Sequence, residues 1–256
     1  MTGFIPVLLY HSVAEHRVSD DRFAVSPAMF ASHVDAIEAS GRVTLTISEL
    51  ADGLRGERPL PERAVAVTFD DGFADNHGAA TSLLSRGLRS TLYVPTGALG
   101  APDRLTPSKL GQLAGAAGIE IGAHGVRHRY LDELGERELT HEVVASRAAL
   151  EDMIRTPVHS FAYPHGAYDR RVRAAVIDAG YRCAAAVKNA LARPAEDPFA
   201  IARWTVTRDV SAARIALVLA GQAAPLSWPR ERVRTRAYRV ARRQRRRVAR
   251  LLRRDS

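Results

Sequence analysis

The sequence predicts an α/β fold: a deformed (β/α) barrel of about seven parallel strands, followed by an Arg-rich helical tail. Three observations lead there. Short apolar runs alternate with amphipathic helical patterns over residues 1–228. The runs are nearly continuous in apolar character, as strands covered on both faces are. The residues able to do chemistry, namely His11, Asp70, Asp71, His124 and the segment 163–166, nearly all close such a run. Barrel enzymes keep their sites at those strand ends.

Seven strand candidates follow in order: IPVLLY (5–10), AVAVTF (64–69), STLYVP (90–95), IEIGAH (119–124), HSFAYP (159–164), RCAAAV (182–187) and IARWTV (201–206). Helices are expected between them. In SPAMFASHVDAIEAS, Ser26 is the cap and Pro27 takes the first helical position, where its missing N–H costs nothing. Thr106 and Pro107 repeat that start, and Gly118 offers a stop. The segment 136–154 carries an apolar stripe at Leu139, Val143, Ala145, Leu150 and Ile154. A third amphipathic segment spans 168–180. Repeated strand–helix units imply a parallel sheet with helices outside.

The chain has 256 residues and is 46% hydrophobic, enough for one domain with a real core. The single Cys183 allows no internal disulfide. No apolar run nears the roughly 20 residues that span a bilayer, and the opening MTGFIPVLLYHSV lacks the pattern of a secretory signal. These features together give a cytoplasmic expectation. The net charge of +9 is unevenly spread: residues 230–256 hold 13 Arg against two acids, +11, which leaves −2 on residues 1–229. That balance excludes a basic surface over the whole body for nucleic acid. Two units are expected, 1–228 as the catalytic domain and 229–256 as the tail.

The stretch VAVTFDDGFADN places two carboxylates side by side at Asp70 and Asp71. Further on, GAHGVRH sets His124 and His128 at i, i+4, so both imidazoles can face one ion. Two histidines and a carboxylate form a common ligand set for zinc or a similar divalent metal. One aspartate can then be a ligand, neutralised by the ion, while the other stays free beside it as a base. His16, His33, His77, His141 and His159 lack such context and are expected on the surface or in loops.

Three segments, TFDDG (68–72), HGVRH (124–128) and FAYPHGAYD (161–169), carry a family resemblance. They resemble the first three motifs of the polysaccharide deacetylases, the carbohydrate esterase family 4 enzymes with the NodB-type domain, over most of residues 4–207. The resemblance implies a deformed (β/α) barrel that removes N-acetyl or O-acetyl groups from glycans. It implies Asp71, His124 and His128 as metal ligands, Asp70 as general base, and the backbone N–H of His165 as an oxyanion donor. The metal would be zinc, with cobalt or nickel as alternatives. The family usually places its acid histidine near the C-terminus, but ARIALVLAGQ (213–222) contains none. PVLLYHSV instead resembles a rearranged branch in which the first strand supplies it, so His11 should protonate the leaving amine. The family's arginine before YP is replaced by Ala162, and Arg203 is the candidate to orient the base in its stead. Trp204 would wall the sugar site or fill core.

In the tail, Val233, Ala237, Val240, Ala241, Val248, Leu251 and Leu252 fall near one helical face among arginines. This reads as a basic amphipathic helix suited to an anionic membrane surface, with RNA or DNA and a solvated tail kept open by self-repulsion as the alternatives. The expected function is a metal-dependent deacylation of a glycan or lipid-linked amino sugar, peripheral to the inner face of the membrane. A deacylase of a small amino-sugar conjugate is one alternative. A catalytically impaired barrel acting as a glycan-binding or membrane-associated scaffold is the other.

Overall fold

In a computed structural model, the protein is described over residues 3–15 and 22–228, and at positions 241 and 244. The tail and His16 therefore lie outside the described residues, apart from those two positions. The elements run β1 (Val7–Tyr10), β2 (Ser12–Val13), β3 (Ala24–Val25), α1 (Pro27–Ala39), β4 (Val43–Leu45), α2 (Ile47–Leu54), β5 (Ala64–Phe69), α3 (Asn76–Ser85) and β6 (Ser90–Val94). They continue with α4 (Pro107–Ala114), β7 (Ile119–Ala123), α5 (Glu136–Ile154), β8 (Ser160–Ala162), α6 (Arg170–Asp178), β9 (Cys183–Val187), β10 (Ile201–Thr205) and α7 (Ala212–Leu219).

Seven parallel strands close a ring, because β1 pairs with both β10 and β5. The register sets Tyr10 against Phe69, so His11 and Asp70 emerge side by side at one rim. The deformation is local. β4 pairs with Ala64–Ala66 and β6 with Thr68–Phe69. Both lie on the edge of β5 away from β1, since β1 covers residues 66–69. β4 thus wedges the base of the ring open.

Period-two alternation separates two cores. Val65, Val67 and Phe69 face the helices, packing with Phe30, Leu83 and Ile215. Ala64 and Ala66 face the other way and cluster with Val7, Tyr93, Ala162, Ala185 and Ile201. Small residues on most strands leave room inside for two large side chains, Tyr93 and Arg203, both fully buried. Gly122 is needed for this, since a Cβ there would lie 2.5 Å from Tyr93 Cε1. α2 plugs the base with Ile47, Leu50 and Ala51.

Helix starts match the sequence signals. Ser26 and Thr106 accept from the Met29 and Lys109 amides, each with proline inside the first turn. α4 ends at Gly115 rather than Gly118, which instead turns the chain into β7 at φ +104°. The segment 213–222 falls largely within α7. His33 is a correction: it is fully buried on α1, not at the surface. Its Nδ1 meets Tyr10 Oη at 3.2 Å and its Nε2 meets the Val210 carbonyl at 2.8 Å. Both ring nitrogens find partners, so burial costs little.

Candidate active site

Asp70 and Asp71 separate because the backbone turns between them. The Asp70 amide still donates to the Tyr10 carbonyl at 3.0 Å, continuing the ladder. Asp71 then adopts φ +72°, a left-handed conformation that is costly for a residue with a Cβ. Its carbonyl accepts from Arg104 Nη1 at 2.6 Å, which holds the turn. The two carboxylates therefore differ in their main partners, although His124 Nε2 lies near both, 3.7 Å from Asp70 Oδ2 and 3.5 Å from Asp71 Oδ1.

Asp70 is 3% exposed and Arg203 is 0% exposed. They form a bidentate pair, Nη1–Oδ1 at 2.6 Å and Nη2–Oδ2 at 2.8 Å. Arg203 also donates to Thr68 Oγ1 at 3.2 Å, and its guanidinium sits 5.3 Å from the Tyr93 ring centre. Burial pushes the Asp70 carboxyl upward, but the charges of Arg203 and His124 more than reverse this and hold it low. The residue is a carboxylate at neutral pH.

Asp71 Oδ1 lies 3.5 Å from His124 Nε2 and 3.1 Å from His128 Nε2. The donor atoms of Asp71, His124 and His128 all fall within 4.8 Å of one another, the one such group among the described residues. Ligands about 2 Å from a shared ion stand roughly 3–3.5 Å apart, so these separations fit a divalent metal. The tautomer fits as well. His124 Nδ1 lies 2.8 Å from the Ala162 carbonyl, an acceptor only, so Nδ1 carries a proton and Nε2 is the nitrogen turned toward Asp71 and left to bind an ion. Burial pushes both Asp71 and His124 toward their neutral forms. Charge overrides this: Asp70 and then Asp71 raise His124, while His124 and His128 hold Asp71 far below the carboxylate range.

His11 stands at the end of β1 and outside this cluster. Its ring stacks on Phe23, with centroids 4.7 Å apart, and Arg22 lies over the far ring at 4.7 Å. Its Nδ1 is buried with no hydrogen-bond partner among the described residues. Burial lowers its pKa despite the nearby charges of Asp70 and Asp71. Asn76 Nδ2 donates to the His11 carbonyl at 2.7 Å. The β2–β3 pair, Ser12 with Ala24 and Val13 with Val25, brings Phe23 over this ring.

His165 follows β8 at φ +58° in a short turn. Gly166 and Ala167 amides donate to the Tyr163 and Pro164 carbonyls, and the His165 amide stands at the start of that turn. Its side chain stacks on Tyr130 at 3.9 Å and meets the His128 carbonyl at 3.1 Å. Trp204 is half-buried on β10.

The fold therefore brings Asp70, Asp71, His124, His128 and Arg203 into one cluster, with His11 and His165 at its rim. Phe23, Asn76, Arg104 and Tyr130 were not foreseen. Only Asn76 had a readable cue, a side-chain amide six residues beyond Asp70 in the same turn.

The family model described as polysaccharide deacetylase matches residues 57–184. The protein YxkH of Bacillus subtilis (strain 168), named as a polysaccharide deacetylase, is 26% identical over 208 residues, 81% of this chain and 73% of its own. The poly-β-1,6-N-acetyl-D-glucosamine N-deacetylase of Escherichia coli (strain K12) is 28% identical over 96 residues, 37% of this chain but 14% of its own length. Two solved structures share the fold. The Streptococcus pyogenes deacetylase PplD, in complex with acetate, superposes with a TM-score of 0.77 at 21% identity, covering 87% of this chain and 99% of that one. IcaB from Ammonifex degensii gives 0.74 at 23%, covering 87% and 98%. Motif, geometry and matched span agree, and the chain belongs to the polysaccharide deacetylase family.

Proposed function

We propose that the protein is a divalent-metal-dependent hydrolase that removes N-acetyl groups from an amino-sugar glycan. The observation that carries this is the pairing of two differently held carboxylates: Asp71 against two imidazoles, and Asp70 ionised by Arg203 alongside. A metal-structural site alone has no need of that second carboxylate.

Asp71, His124 and His128 would hold the ion. When bound, it would supply Lewis-acid polarisation of the acyl carbonyl and ease ionisation of a water. Asp70 takes the proton from the attacking water. Arg203 fixes the orientation of that carboxylate and keeps it charged. The His165 amide donates to the developing oxyanion. His11 delivers a proton to the leaving nitrogen as the C–N bond breaks, giving acetate and a free amine. The rings of Phe23, Tyr130 and His165 offer apolar faces to sugar rings.

The named activity of the Escherichia coli relative supports N-acetylglucosamine polymers as the substrate class. The test is acetate release by the full chain from β-1,6- and β-1,4-linked N-acetylglucosamine oligomers and from the monomer. It is run after metal removal and after adding back zinc, cobalt or nickel. Release that requires metal and rises with oligomer length is expected. No release from any of these substrates with any of these metals would overturn the proposal.

A further inference from the structure

We propose that Glu142 is a positioning residue for the metal site: its buried carboxylate holds the loop between the two histidines and thereby places His128. This rests on the metal reading above. Glu142 lies on the inward stripe of α5 with Leu139, Val143, Ser146 and Leu150, where an apolar side chain would be ordinary. It is 3% exposed, and no cation among the described residues pairs with it. A buried carboxylate without a cation is unfavourable unless strong donors meet it.

Two donors do. Glu142 Oε2 accepts from the Val126 amide at 2.7 Å and the Arg127 amide at 2.9 Å. These are the middle residues of HGVRH. Gly125 sits at φ +75°, and a Cβ there would lie 3.1 Å from the same oxygen. The opposite side of the loop is clamped as well. Thr96 and Gly97 amides donate to the Gly125 and Val126 carbonyls at 3.1 and 2.9 Å.

The two histidines depend on this loop unequally. His124 directly follows β7, its amide on the Val94 carbonyl at 3.2 Å and its ring on the Ala162 carbonyl. His128 belongs to no strand or helix and sits at φ +51°. Its approach to Asp71, 3.1 Å, is set by the path of residues 125–127. Charge-assisted bonds to consecutive amides fix that path more firmly than water would.

Outer partners of metal ligands typically change affinity about 10–100-fold. Cobalt(II) titration of the metal-free full chain, followed by visible absorption, reads this without turnover. Glu142→Ala should bind cobalt about 10–100-fold more weakly than wild type. Glu142→Gln can put its carbonyl oxygen at the same point and should stay within about threefold. An unchanged affinity in Glu142→Ala, or a loss in Glu142→Gln as large as in Glu142→Ala, overturns the proposal. Hydrogen exchange of the Val126 and Arg127 amides in the folded wild type needs no variant to fold. Protection is expected, and exchange at open-loop rates overturns the proposal. A wild type that takes up no cobalt sinks the metal reading instead.

Discussion

Arg203 carries its charge fully inside the ring, and the Asp70 carboxylate is its one ionic partner among the described residues. Breaking such a pair by removing one member costs about 3–5 kcal/mol, because the other charge is left stranded. Arg203→Met should lower stability by about that amount in chemical denaturation. It should also change the pH dependence, with a definite sign. Asp70 has a depressed folded pKa, so its contribution is present above the unfolded value near about 4 and is lost as pH falls through the folded pKa. Without Arg203, burial dominates and the carboxyl rises. The acid limb of both the stability curve and the pH–rate profile should move to higher pH in the variant. For His11, replacement by alanine should slow hydrolysis of an amide more than that of an activated acetyl ester, which needs less protonation of its leaving group. Equal losses on both substrates would assign His11 a structural role. The cluster of Asp71, His124 and His128 was legible because side chains that can share one ion keep a spacing visible in the sequence, as at His124 and His128. Arg203 could be named only as a substitute for a missing arginine. Glu142 and the buried His33 were illegible for one reason: their partners include backbone groups 15 to 177 residues away.

Among the elements, the short β2–β3 pair and the start of α3 do the most to shape the rim. Ser12 Oγ and the Val13 amide both bond the Asp75 carboxylate, at 2.7 and 3.1 Å. Asn76, fully buried at the first position of α3, bonds the His11 carbonyl. Asn76→Ala leaves that carbonyl without its donor, at a cost of about 1–3 kcal/mol. Thermal unfolding should show the loss and amide hydrolysis should slow, while zinc content stays at the wild-type level. Loss of zinc along with activity would place Asn76 under the metal site instead of under His11. Strands of two residues leave no periodicity to read, so β2 and β3 escaped detection. α2 did leave a mark. Thr46 and Glu49 form a reciprocal capping box, spelled T-x-x-E in the sequence, just ahead of an apolar run.

For the whole molecule, apolar strand runs and their helical spacers were enough to predict a parallel barrel. The sequence could not show how the ring closes, because strand partners so far apart in the chain leave no local pattern, as with Leu8 and Val67 or Leu8 and Trp204. No helix among the described residues is long and apolar enough to cross a membrane. A chain ending at Trp228 should fold, bind metal and cleave a small soluble substrate. The full chain should sediment with anionic vesicles and release as salt is raised, since screening shortens the reach of arginine charge. Equal sedimentation of both chains would remove the membrane role, and unfolding of the shorter one would show that the tail docks on the barrel.

The ring closes through its first strand, and this sets an order on synthesis. β1 can meet β5 once about a quarter of the chain has emerged, but its other edge waits for β10, which ends at Thr205. Until then β1 and β9 are open parallel edges on a nascent sheet, the kind that other chains can join. His11, the proposed proton donor at the end of β1, is made first and gains its full setting last. A ribosome that stalls between β9 and β10 would release a sheet carrying Asp71, His124 and His128 but with an unsealed seam, and such chains should be the ones that chaperones and proteases find.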